Sequence, residues 1–277
     1  VQRRIQAIAL LLVVAAPGGV VHAQGTTEPG LDLVSLFYLA EYGAVDEKNL
    51  EGRSVQVYRI PIGIRMRDEV ERGWGLKLML PVSIGGYELR AATDVGDLVE
   101  RIETVTIYPG VEFQVPVGER WFLRPYAEVG VISAFGDRGS EELYAAGVKW
   151  RVELGGESVR WRLGGEGRFS VGTSPAGDSI DFMELAIGPE VSIPLGVEIA
   201  GQAADLAPFA LYRRFSGLEI PLPDRDPASL ERQYEVGLTF GTEPRHVVWG
   251  IRMPRVGVSY RFGDGIDAWR IVFGFPF

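Results

Sequence analysis

The chain has 277 residues, a formal net charge of -9, 36 glycines and no cysteine. The acidity argues against a nucleic-acid partner, because phosphate backbones are held by clustered cations, and without thiols no disulfide framework, thiolate metal site or cysteine-linked lipid anchor is expected. Beyond the first two dozen residues no run of about 18 uninterrupted apolar side chains remains, so no membrane helix is expected either; the glycine content suits one all-β domain.

The elements follow in chain order. Arg3 and Arg4 precede a mostly apolar stretch, Ile5 to Val21, that ends in the small-residue site Val21-His22-Ala23. This pattern predicts a secretory signal peptide over residues 1–23 and one domain over 24–277. The alternative, a short N-terminal anchor, is interrupted by Pro17-Gly18-Gly19.

From there the dominant signal is alternation with period two, the mark of strands whose successive side chains point to opposite faces. In Val55 to Arg67, Tyr58, Ile60, Ile62, Ile64 and Met66 share one face, and Arg59, Gly63, Arg65 and Arg67 share the other. The split recurs as Trp74, Leu76, Leu78, Leu80 and Val82 against Lys77 and Ser83, then as Val105 to Val115 against Thr104, Thr106, Tyr108, Glu112 and Gln114. It continues through Tyr144 to Val152 and through Met183 to Ile193. Counting every such run from Leu31 onward gives about twelve, with ten or fourteen as the bounds, each close to the length that crosses a bilayer at a tilt. The phase slips in Leu31 to Tyr42, Val197 to Phe215 and Val247 to Phe262.

Short turns are predicted at Asp68 to Gly73, Gly118 to Arg120, Gly155 to Ser158, Pro194 to Gly196 and Thr242 to His246, all at the periplasmic end. The connections at the opposite end, Gly43 to Ser54, Gly85 to Arg101 and Ser216 to Glu231, are mostly longer, with a tight exception at Gly263 to Asp267. Short periplasmic turns alternating with longer external loops are what a closed antiparallel transmembrane β-barrel shows.

Alternation alone also fits a soluble, lipocalin-like periplasmic binding barrel with an internal apolar face. The polar face carries large groups of both signs: Glu112, Arg124, Glu128, Lys149, Arg151, Arg162, Glu166, Arg168, Glu184, Glu190, Glu235 and Arg261. If the apolar face meets lipid, all of these except Lys149 are the candidate lumen-lining set, and with Tyr108 and Tyr126 they predict a crowded, salt-bridged interior.

The last residues decide between the two directions. Trp269, Ile271, Phe273, Phe275 and Phe277 fall on one face of a final strand. This resembles the C-terminal signal strand of Gram-negative outer-membrane proteins, which implies delivery by periplasmic chaperones, recognition by the barrel-assembly machinery and contact with outer-membrane lipids. The run Pro254 to Gly265, followed by the Phe-ended strand, is similar to the solitary autotransporter-like β-barrel family. That resemblance implies a translocator-type barrel without a passenger, and only Gln24 to Gly30 precede the first expected strand. It implies no activity.

Candidate chemistry is sparse. After residue 23 the single histidine is His246, in an expected turn beside Arg245 with no nearby serine, so a histidine-dependent hydrolase is disfavoured. Asp224, Asp226 and Glu231 could hold a hard cation, but Arg225 stands among them. Gly164-Gly165-Glu166-Gly167 lies inside a strand and so makes a weak phosphate loop. No catalytic residue, metal ligand or cofactor is assigned. Three functions stay open: a non-enzymatic structural or narrow-pored barrel in the outer membrane, an outer-membrane enzyme acting on lipid or peptide through luminal carboxylates, and the soluble binding barrel.

Overall fold

The computed structural model describes residues 55–67, 73–87, 102–134, 140–155, 159–173, 179–199, 201–222, 225–243, 247–248, 251–252, 255–264, 266–274 and 277. The expected signal peptide, the first expected strand, His246, Asp224 and Phe275 lie outside them.

β1 (Val55–Arg67) pairs with β2 (Gly75–Tyr87). β3 (Ile102–Ile107) and β4 (Gly110–Pro116) are two halves of one crossing, both lying between β2 and β5 (Trp121–Ala134). Pro109 breaks that crossing because it has no N–H to give the ladder. The backbone still bridges the break: Tyr108 N donates to Pro81 O at 3.1 Å, and Val129 N donates to Pro109 O at 2.9 Å.

The sheet continues through β6 (Ser140–Gly155), β7 (Arg160–Thr173), β8 (Ser179–Ile199) and β9 (Gln202–Ser216). A side hairpin follows, β10 (Glu219–Leu222) with β11 (Arg225–Ser229), before the sheet resumes at β12 (Arg232–Glu243). A second small hairpin, β13 (Val247–Val248) with β14 (Ile251–Arg252), precedes β15 (Val256–Gly263) and β16 (Ile266–Phe273). Successive strands of the sheet lie side by side and every pairing is antiparallel, giving an up-and-down sheet of 12 strands that make eleven crossings among the described residues, β3 and β4 sharing one. Among the described residues no helix is long and apolar enough to cross a membrane.

Three sequence expectations are corrected. Pro194 to Gly196 is not a turn: β8 runs through it to Ile199, and the chain reverses at Gly201. Gly196 takes a φ of 69 where the β8–β9 register shifts between Pro194 and Glu198, so the glycine serves a bulge within the ladder. Consequently Val197 to Ile199 belong to β8, not to the strand that ends near Phe215. Val247 to Phe262 is likewise not one strand: its first part forms the β13–β14 hairpin and only Val256 onward joins the sheet. The turn at Gly118–Arg120 stands as expected, with Gly118 at a φ of 103.

Candidate functional site

The two faces of the sheet differ in the direction that matters. Along β8, Met183, Leu185, Ile187 and Ile193 are exposed, while Phe182, Glu184, Ala186, Glu190 and Ser192 are buried. On β12, Tyr234, Val236, Leu238 and Phe240 are exposed against buried Gln233, Glu235 and Thr239. From Met183 to Ile193 a strand tilted as in membrane barrels rises about 25 Å, the height of the apolar band that a bilayer requires.

Aromatic side chains mark the margins of this band. Trp74, Trp121 and Trp161 are exposed at the ends of strands that meet the short turns. Near the other margin Tyr212, Tyr234 and Phe262 are successive register partners, with ring centroids 5.4 and 5.6 Å apart. Amphipathic rings collect at the lipid–water boundary because one end of each is apolar and the other can stay wet. Trp150 lies over its register partner Gly165, whose missing side chain leaves room for the indole on the outer face. An apolar exterior around a charged interior reverses the distribution of a soluble barrel. This is the wall of a membrane-spanning β-barrel.

The inward face collects most of the predicted charges into ion pairs. Arg261 donates to Glu235 Oε2 through Nε at 3.0 Å and Nη2 at 2.8 Å, and Ser259 Oγ donates to the other oxygen of Glu235 at 2.6 Å. Arg213 bridges two strands, pairing with Glu184 and standing 3.9 Å from Glu235. Arg168 lies 3.5 Å from Glu128 and hydrogen-bonds the Tyr108 hydroxyl at 3.4 Å. Toward the short-turn end, Arg162 pairs with Glu190 at 2.6 Å and approaches Glu153 at 3.9 Å, and Arg151 meets Glu153 at 3.2 Å. Glu166 accepts the Tyr126 hydroxyl, and Glu112 accepts from Gln114 Nε2 at 3.1 Å. Arg124 lies on the same inward face. All eleven residues proposed from sequence as lumen-lining are buried or half-buried.

Three further members were not singled out from sequence. Arg213 is one; the others are Asp205 and Arg255, which pair at 2.7 Å, with Ser192 also donating to Asp205 and Arg255 Nε donating to Thr239 Oγ1 at 3.1 Å. Their signal is masked because the inward face of β9 reads Asp205, Ala207, Phe209, Leu211, Arg213, Phe215. It is as apolar as the outward face, so alternation in hydrophobicity fades there.

The C-terminal residues divide differently from the sequence expectation. Ile271 and Phe273 are exposed on the outer face. Trp269 lies on β16, two residues away in the same phase, and its side chain lies outside the described ones. Phe277 is not on that face: Gly274, with a φ of 82, breaks the alternation. The Phe277 ring is buried in an inward cluster with Ala186, Phe209, Leu211 and Val272.

No described protein family and no characterised relative matches the sequence. Among solved structures the chain is similar to the β domain of the Bordetella autotransporter BrkA, at 11% identity over 79% of this chain and 88% of that one, with a TM-score of 0.47. It is similar to LpxR from Salmonella typhimurium at 13% identity over 78% and 88%, with a TM-score of 0.43. It is also similar to the translocator domain of the autotransporter NalP from Neisseria meningitidis, at 13% identity over 83% and 82%, with a TM-score of 0.49.

Chemically, the barrel interior is built for pairing. Glu128, Glu184, Glu190, Asp205 and Glu235 each face a guanidinium that orients the carboxylate. The end opposite the short turns carries an apolar layer instead: Ile132, Leu143, Phe182, Phe215, Leu218 and Leu230 are all buried there. Leu218 and Leu230 form the foot of the β10–β11 hairpin, tied by Leu230 N donating to Leu218 O at 3.1 Å.

Proposed function

We propose that the protein resides in the outer membrane as a non-enzymatic barrel whose lumen is closed, or narrowed to a small-ion path, by its own side chains. The observation that carries this reading is the chain of inward pairs from Arg162–Glu190 through Arg213–Glu184 to Arg261–Glu235, in which Glu184, Glu190, Glu235 and Arg261 each expose 1% of their surface. A water-filled pore would leave such groups hydrated, whereas here they fill the interior. The apolar layer at the β10–β11 end supports the same conclusion.

The expected signal peptide and the exposed Ile271 and Phe273 on β16 favour export and insertion through periplasmic chaperones and the barrel-assembly machinery, with outer-membrane lipids against the apolar band. In this orientation the Gly118–Arg120 end faces the periplasm and the β10–β11 hairpin faces outward.

Two measurements on one preparation test the proposal. Outer-membrane fractions should contain a band of heat-modifiable electrophoretic mobility, and the purified protein in planar bilayers should show little or no steady conductance. Recovery in the soluble periplasmic fraction would contradict the membrane reading, and a large open-channel conductance would contradict the closed lumen.

A further inference from the structure

Arg124 on β5 and Lys149 on β6 are register partners on the inward face. Like charges placed directly opposite each other on neighbouring strands repel. The same like-charge juxtaposition recurs one pair of strands away, where Arg65 on β1 is the register partner of Lys77 on β2, whereas the other arginines described above stand beside carboxylates.

Lys149 has Glu166 as its partner on the other side, and its Nζ lies 4.9 Å from the centre of the Tyr126 ring. Glu112, one strand before Arg124, has Lys77 as its own register partner. The group therefore holds four cations, Arg65, Lys77, Arg124 and Lys149, against the two carboxylates Glu112 and Glu166. Arg124 lies within the field of Glu112 but is not paired with it. Among the described residues its guanidinium makes no hydrogen bond and no ion pair, and its Nε is buried without a partner. On the same inward face the amide oxygen of Gln114 is also buried and unpartnered.

An unpaired guanidinium donor removed from water is unfavourable unless something accepts from it. The donors of Arg124 and Lys149 call for negative oxygens, and the Gln114 oxygen calls for a hydroxyl. A protonated oxyanion supplies both. We propose that Arg124 and Lys149 hold a small soluble oxyanion, inorganic phosphate or a phosphate monoester, inside the mouth at the Gly118–Arg120 end. Arg124 is three residues from Trp121 at that end, and its half-buried position leaves it reachable from the mouth. Lipid headgroups meet the opposite face of the strand, so the ligand comes from solution. The site rests on the inward placement of Arg124 and not on whether the lumen conducts.

The test is calorimetric titration of the full folded protein with inorganic phosphate at constant chloride, each sample first checked for heat-modifiable mobility. Wild type is expected to bind one phosphate, Arg124→Gln to bind about tenfold more weakly or worse, and Arg124→Lys to lie between, because lysine keeps the charge but loses the planar fork. Lys149→Gln gives an independent arm should Arg124→Gln fail to fold, and is also expected to weaken binding. Affinity should be the same in bilayers of zwitterionic lipid and in bilayers containing anionic phospholipid; loss of binding in the latter would assign the site to a headgroup and overturn the proposal. Absence of phosphate binding to the folded wild type, or undiminished binding to both folded variants, would overturn it as well. Failure of the membrane reading would show separately, as a missing heat-modifiable band.

Discussion

Glu235 and Arg261 face each other across β12 and β15 as register partners, and each is buried to 1% exposure, with both guanidinium donors directed at one carboxylate oxygen. Two charges held this deeply are stable only together. Arg261→Met is expected to destabilise the folded barrel by about 3 kcal/mol, the low end for breaking a buried pair, because Arg213 and Ser259 still support Glu235. The double variant Glu235→Leu with Arg261→Met should recover most of that loss. Urea unfolding in lipid vesicles measures both; a double variant less stable than either single one would contradict the pairing.

The outer face allows a complementary prediction. Ile187 lies in the exposed row of β8, midway between Met183 and Val191. Ile187→Arg should cost about 2–4 kcal/mol in a bilayer, as an arginine does near the midplane on the lipid side. Ile187→Leu should be near neutral. A harmless Ile187→Arg in vesicle unfolding would place that face in water.

Close backbone approach predicts a contrast between two glycines. A Cβ on Gly188 would collide with the Ala210 carbonyl oxygen and the Leu211 side chain, whereas one on Gly167 would meet only Leu185 Cδ2, at 3.6 Å. Gly188→Ala should therefore destabilise by about 1–3 kcal/mol or prevent folding, the usual range for overpacking, while Gly167→Ala should fold normally. Yields of heat-modifiable protein after refolding distinguish the two; equal yields would refute the contrast.

Burial of Phe277 separates two effects that the sequence merges. Phe277→Ser should lower the stability of the purified barrel by about 3 kcal/mol, as expected when a buried aromatic ring is removed. Phe273→Ser, on the outer face, loses an apolar contact with lipid but leaves no cavity, so it should cost less than Phe277→Ser. Both should reduce assembly in cells if the final strand is the recognition element. Equal stabilities for the two purified variants would mean that Phe277 is not packed in the interior.

The alternation that revealed β2, β6 and β8 is a direct consequence of a wall with lipid on one side and ion pairs on the other. Sequence therefore placed eleven charged residues on one face, all of them buried or half-buried in the structure, without any contact information. What it hid follows from the same physics. On β9 the inward face carries Phe209, Leu211 and Phe215, so Asp205 and Arg213 had no polar row to belong to. At Pro194 and Gly196 the usual breakers of structure are absorbed by a bulge, since β8 stays paired with β9 on either side of it. Phe277 keeps the spacing of the outward residues but not their direction, because Gly274 turns the chain after the last strand. Ion-pair identity is set by register, and register is not written in any single strand.

The orientation of the two faces is tested most directly by site-directed spin labelling along β8. The chain has no cysteine, so each single-cysteine variant carries one label. Labels at Met183, Leu185 and Ile187 in vesicles should be accessible to lipid-dissolved oxygen and shielded from a water-soluble nickel chelate, and labels at Glu184 and Ala186 should be shielded from oxygen, a strict period of two. Alternation of the opposite sense, with the chelate reaching Leu185 and oxygen reaching Glu184, would contradict the inside-out wall, as would no alternation at all.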